Sequence, residues 1–109
     1  MRRVDFRPEA TTDLAEIWKY TAGRWGVGQA ETYTRGLIAS LEALPHASPK
    51  ARPCDEIHIN LWRLRQGAHI VFFFSDPSKV VVVRILHERM DHITQLRDIV
   101  ADEGPAGDG

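Results

Sequence analysis

Apolar and polar residues alternate over "RRVDF", too briefly for more than a short first strand. Pro8 then suits the first position of a helix, where its missing N–H costs nothing. Ala10, Leu14, Ile17, Trp18 and Thr21 recur at helical spacing, with Asp13, Glu16 and Lys19 set across from them. That spacing predicts an amphipathic helix. Gly23 is expected to cap it, and Gly26 to allow a tight return. A second stripe follows in Ala30, Tyr33, Leu37, Leu41 and Leu44, with Ile38 beside it, until Pro45 and Pro49 forbid further helix. Two helices joined this closely form an antiparallel hairpin.

"HASPKARPCDE" reads as a loop. Beyond it come three strands: one around Ile57 to Arg65, one over "AHIVFFF", and one over "KVVVVRILH". Gln66-Gly67 and "SDPS", with Pro77 at the second turn position, supply short connections, so neighbouring strands run antiparallel. Ile93, Leu96, Ile99 and Val100 suit a short C-terminal helix. The fold class is α+β: an N-terminal strand, a helical hairpin, and a three-stranded meander packed on the hairpin. One feature stays open. Ile70 to Phe74 and Val80 to Val83 are apolar at odd and even positions alike, so both sheet faces need cover. The hairpin covers one; the C-terminal helix or another chain must cover the other.

Composition changes this picture little. A chain of 109 residues is one domain, taken as 1–100, with a disordered acidic tail over 101–109. The single Cys54 excludes an internal disulfide and a Cys-Cys zinc site. No window approaches the roughly 18 apolar residues of a membrane span, and the N-terminus lacks an apolar signal region, so a cytoplasmic chain is expected. A net charge of −1 excludes bulk electrostatic binding of nucleic acid. His58, His69 and His92 have no metal-ligand spacing, and "GRWGVGQA" lacks the lysine of a phosphate loop, so neither metal nor cofactor is expected. His69 reads as a strand residue with a satisfied hydrogen bond, and Cys54 as inert.

Candidate chemistry gathers where the last strand ends, at Arg84, His87, Arg89 and Asp91. As a nuclease the chain would use His87 as general acid or base, with Arg84 and Arg63 or Arg65 stabilising a phosphorane. Alternatively Arg84 pairs with a carboxylate such as Asp91 or Glu88, and His87 caps a backbone group. Strand parity sets Arg84 and His87 on opposite faces, which favours the second arrangement.

"IWKYTAGRWGVGQAETYTRGL", "GAHIVFFF" and "VVVVRILHERMD" together resemble ParE toxins of the RelE/ParE superfamily, from about Val4 to Leu96. The resemblance implies a bacterial type II toxin that stabilises the cleaved complex of DNA gyrase and forms a hetero-oligomer with a ParD-like antitoxin. Such an antitoxin would lie along hairpin and sheet, implicating Leu14, Trp18, Trp25, Tyr33, Leu37, Ile70, Phe72, Phe74 and Val82. Arg84, His87, Arg89 and Asp91 would border the surface that meets the target. The sister RelE-like branch cleaves messenger RNA on the ribosome; here that chemistry has only Arg63, Arg65, Arg84 and His87. A third possibility is a non-toxic co-repressor module. Without a helix-turn-helix or basic ribbon, specific DNA binding would fall to the partner. The chain departs from the ParE pattern in Asn60, Leu61 and Trp62 and in Phe72, Phe73 and Phe74, which put apolar surface where relatives carry hydroxyls and cations.

Overall fold

A computed structural model describes residues 3–43 and 51–103, with side chains through Arg97. Strand β1 (Arg3–Phe6) leads into helix α1 (Pro8–Trp25) and helix α2 (Val27–Glu42). Strands β2 (Ala51–Pro53), β3 (Leu61–Gln66), β4 (His69–Ser75) and β5 (Lys79–His87) follow, and helix α3 (His92–Glu103) completes the chain. The sheet is five-stranded, in the order β1-β5-β4-β3-β2.

The hairpin, the meander and the last helix stand where the sequence places them, but several boundaries differ. Helix α1 runs through Gly23 to Trp25, because the left-handed residue is Gly26, at φ 97°, whose N–H closes on the Ala22 carbonyl. The predicted loop contains β2, an edge strand where Pro53 is tolerated because edge positions can spare an N–H. The third strand begins at Leu61 rather than Ile57. Before it, the Cys54 carbonyl accepts the N–H groups of Ile57 and His58, and Asn60 takes φ 77°, a conformation its short polar side chain suits. Leu44, Pro45 and Pro49 lie outside the described residues, as do residues 104–109. Helix α3 continues through Glu103, into the stretch the sequence reads as a disordered tail.

Strand β1 pairs parallel with β5 from Arg3↔Lys79 to Phe6↔Val82, then Arg7 donates to the Val82 carbonyl and Pro8 turns the chain into α1. β5 therefore has a strand on both sides only up to Val82. Past that point its outer edge is bare of any strand among the described residues. Opposite the same point Phe72↔Arg84 is followed by Phe73↔Val82, a bulge that makes Val83 the extra residue.

The bulge explains the unbroken apolar run. Val80, Val82 and Ile85 join Val71, Phe73 and Leu64 under Leu37, Leu41, Ile17 and Ala10 of the hairpin. Val83 and Leu86 turn the other way, with Ile70, Phe72, Leu61, Cys54 and Leu96. Each of the Val, Leu, Ile and Phe side chains among them contributes about 1.5–3 kcal/mol by leaving water. The second face is thus filled by the chain itself, through α3 and the segment leading into β3. Of the two covers the sequence leaves open, the C-terminal helix rather than another chain is the one in place. At the other end, Gly67 (φ 59°) opens the two-residue β3–β4 turn, and a Cβ there would stand 2.7 Å from the Tyr33 hydroxyl, so glycine is required twice over.

Candidate functional site

Helix α1, the free half of β5 and the start of α3 meet around Arg84. Its Nε and Nη2 donate to Asp13 at 2.7 and 2.9 Å, and Nη1 reaches Gln95 Oε1 at 3.5 Å. Asp13 Oδ2 also accepts the Ile85 N–H at 2.9 Å. One carboxylate therefore does two jobs: it neutralises the guanidinium and satisfies the edge amide that β1 leaves behind. Both side chains are largely covered, at 16% and 14% exposure. The partner of Arg84 is thus Asp13, not Asp91 or Glu88, because those two are engaged elsewhere. Asp91 accepts the Thr94 N–H and hydroxyl, capping α3, and these bonds hold its carboxyl below the usual range. Glu88 pairs with Arg65 across the sheet.

The Asp13 signal was present but misassigned. It lies three residues after Ala10 and four before Ile17, on the buried stripe rather than opposite it.

On the hairpin side of the sheet, the Tyr33 hydroxyl donates to the Gln66 carbonyl at 3.0 Å and lies 2.7 Å from His69 Nδ1. The Tyr33 hydroxyl thus ties the β3–β4 turn to the His69 ring. His87 Nδ1 accepts the Arg89 N–H at 3.1 Å. The two imidazoles stand edge to face, 5.5 Å between centroids. Sequence reading expected a bonded His69 and a His87 that holds a backbone group, and both are observed. It missed Tyr33 as the partner, since 36 residues separate Tyr33 from His69 and only the fold joins them.

Burial, and then the neighbouring His87, push the His69 pKa down, with Glu88 opposing. A histidine whose folded pKa lies below its unfolded value near 6.5 binds fewer protons when folded. Its stability contribution is complete above that value and is lost as pH falls through it. The urea midpoint is expected to drop between pH 7.5 and 5.5, and His69→Gln to flatten part of that drop. Equal pH dependence in variant and parent would count against this assignment. Cys54 is inert in this fold: it is buried, and burial with the adjacent Glu56 pushes its thiol up to about 11.

The four residues of the nuclease arrangement do not converge. Arg63 and Arg65 lie opposite Phe72 and Ile70 of β4, and with Arg52 they line a cavity of about 270 Å³ on the α3 side. His87 stands with His69 on the hairpin side, and Arg84 is committed to Asp13. Of the positions assigned to an antitoxin, Leu37, Phe72 and Val82 are fully buried and Ile70 nearly so, which removes them from the surface of the free chain. Leu14, Trp18, Tyr33 and Phe74 are partly covered, while Trp25 is exposed beside Tyr20, with the Arg24 guanidinium 5.0 Å from its ring. Tyr20, Val27, Ile59 and Met90, none of them assigned to a partner from sequence, are exposed, and so is Ile93, which the sequence offers as an apolar contact of the last helix. Of the four border residues, Arg89 is open to solvent, Asp91 is exposed but bonded, and His87 and Arg84 are partly buried, Arg84 bound to Asp13. No group of metal-ligating residues occurs among the described residues, and no described helix is long and apolar enough to cross a membrane.

The family profile described as the ParE toxin of the type II toxin–antitoxin system, parDE, matches residues 4–92. Toxin ParE1 of Mycobacterium tuberculosis is 42% identical over 86 residues, covering 77% of this chain and 87% of that one. Toxin ParE1 of Caulobacter vibrioides is 34% identical over 82 residues, 75% of this chain and 84% of its own. Among solved structures, the chromosomal ParDE system of P. aeruginosa superposes with a TM-score of 0.63 at 13% identity, covering 80% of this chain and 96% of that one. The RelBE2 toxin–antitoxin complex of M. tuberculosis gives 0.58 at 17% identity, covering 79% and 90%. The structural likenesses establish the fold, which both branches share; the sequence matches separate the branches, and the chain belongs to the ParE toxin family of type II toxin–antitoxin systems.

Proposed function

We propose that this chain is a toxin that acts on DNA gyrase by stabilising its cleaved DNA complex, that it works by binding rather than catalysis, and that a ParD-like antitoxin holds it inactive. The observation that carries the proposal is membership of the ParE family over residues 4–92, together with 42% identity to a ParE toxin. The geometry supports a binding role. A ribonuclease would need a cation beside its acid or base, and the sheet separates His87 from Arg63 and Arg65 while Asp13 neutralises Arg84.

The test is a gyrase reaction on plasmid DNA with the purified chain, scored for linear DNA after protease treatment. Linear product, suppressed by the antitoxin encoded beside the chain, is the expected result. Unhindered supercoiling together with ribosome-dependent cleavage of messenger RNA would replace this reading with the nuclease one. Absence of toxicity on induced expression would leave a co-repressor module. His87→Ala is expected to leave toxicity nearly unchanged. A loss of roughly 10²-fold or more, the size of a removed acid–base group, with the fold intact would overturn the non-catalytic assignment.

A further inference from the structure

The bare edge of β5 has a specific hydrogen-bonding pattern. Glu88 donates to the Ala68 carbonyl and Ile85 N–H is held by Asp13, so the register turns Ile85 and His87 outward, away from β4. Four backbone groups face out. Ile85 N–H is occupied by Asp13, and the His87 carbonyl accepts Met90 N–H at 3.0 Å and lies 3.0 Å from His92 Nε2. The Ile85 carbonyl and the His87 N–H remain, and no hydrogen bond falls on either among the described residues.

That remainder selects a strand direction. An antiparallel neighbour exchanges N–H and C=O with one and the same residue; at Ile85 the N–H is occupied, and at His87 the carbonyl is. A parallel neighbour instead places one residue between two, donating to the carbonyl of the first and accepting from the N–H of the second. Ile85 and His87 offer that pair. The incoming residue would lie opposite Leu86, in line with β1, which already runs parallel to β5. Beside this edge lies a groove of about 440 Å³ against α1, whose walls include Ile17, Tyr20, Ile85 and Met90, with Glu16 on its α1 side. Residues flanking the incoming one would turn toward α1 and enter it.

We infer that a short extended segment of the antitoxin adds to the sheet as a parallel strand on the edge of β5 between Ile85 and His87, placing an apolar side chain in the groove and a basic one near Glu16. This rests on the toxin–antitoxin reading and names one part of the surface the antitoxin uses. The occupant is an extended peptide because the unmet groups are a backbone donor and acceptor at strand spacing, and its basic residue answers the groove's carboxylate.

Amide hydrogen exchange on the full chain, alone and in the complex co-purified with the antitoxin encoded beside it, tests this. In the free chain the His87 amide should exchange quickly at every protein concentration. In the complex it should slow by on the order of 10²-fold. Tyr20→Asp, at a side chain 61% exposed, should leave the fold intact and weaken the complex by about tenfold or more. A complex in which the His87 amide exchanges as in the free chain overturns this inference alone. Failure of any complex to form overturns the toxin–antitoxin reading with it. A His87 amide already slow in the free chain also overturns it, and slowing that grows with concentration would assign the edge to a second copy of the chain.

Discussion

Replacing Arg84 by alanine is expected to cost about 2–4 kcal/mol of stability, the lower part of the range for a buried pair, because the substitution strands a largely covered carboxylate. Asp13 is held on three sides: by Nε and Nη2 of Arg84 and by the Ile85 amide. With the guanidinium gone, one neutral donor remains for a charge largely shielded from solvent. A domain of this size has about 5–15 kcal/mol in total, so the loss takes a large share of it. The same pair also fastens layers: Asp13 belongs to α1, Arg84 to β5, and Gln95, touched by Arg84, to α3. The urea midpoint should fall by about 1 M or more. Arg84→Lys, which keeps the charge but not the forked geometry, should fall between variant and parent, and it keeps the test usable if the alanine variant does not fold. Midpoints for Arg84→Ala within about 0.3 M of the parent would show that the pair is not what holds this corner.

The helical hairpin was legible because its evidence is local: two apolar stripes at helical spacing, and glycines between them. The sheet was legible strand by strand but not in its edges. Nothing near Val4 announces that β1 pairs with β5, some 76 residues away, and β2 is too short and too proline-bound to show a period. The doubly apolar run of β5 was read correctly as needing cover on both faces. Of the two covers the pattern allows, the C-terminal helix is the one used: one residue of bulge at Val83 and the helix carrying Leu96 suffice to bury the second face. Site residues fared similarly. Strand parity correctly separated Arg84 from His87. The partners of each, Asp13 on α1 and the Arg89 amide, depend on a corner that only the folded chain makes. Buried positions such as Leu37 and Val82 were assigned to a partner because periodicity marks which face is apolar without marking what covers it.

Two aspartate substitutions that look equivalent in sequence should part company in the structure. Val82→Asp is expected to abolish folding at neutral pH. Val82 is fully buried, paired with Phe6 on one side and Phe73 on the other beneath the hairpin, and its buried neighbours there are apolar. A carboxylate in that layer costs several kcal/mol, and protonating it still leaves an unmatched hydroxyl and a packing defect. Its folded pKa would be raised, so whatever stability survives should be present below about pH 4 and lost as pH rises. That is the reverse of the parent's slope near His69. Ile70 is 9% exposed and lines the cavity that holds Arg52, Arg63 and Arg65, with Arg65 directly opposite it on β3. An aspartate at 70 would meet guanidinium groups in reach of water. Ile70→Asp should therefore yield a folded, weakened protein, losing the burial of one side chain, about 1.5–3 kcal/mol, rather than the whole fold. Circular dichroism and urea unfolding at pH 4 and 7 separate the two. A folded Val82→Asp at pH 7, or an Ile70→Asp as unfolded as its counterpart, would mean that the layers are not divided as described: an apolar seam under the hairpin and a cationic margin on the far side.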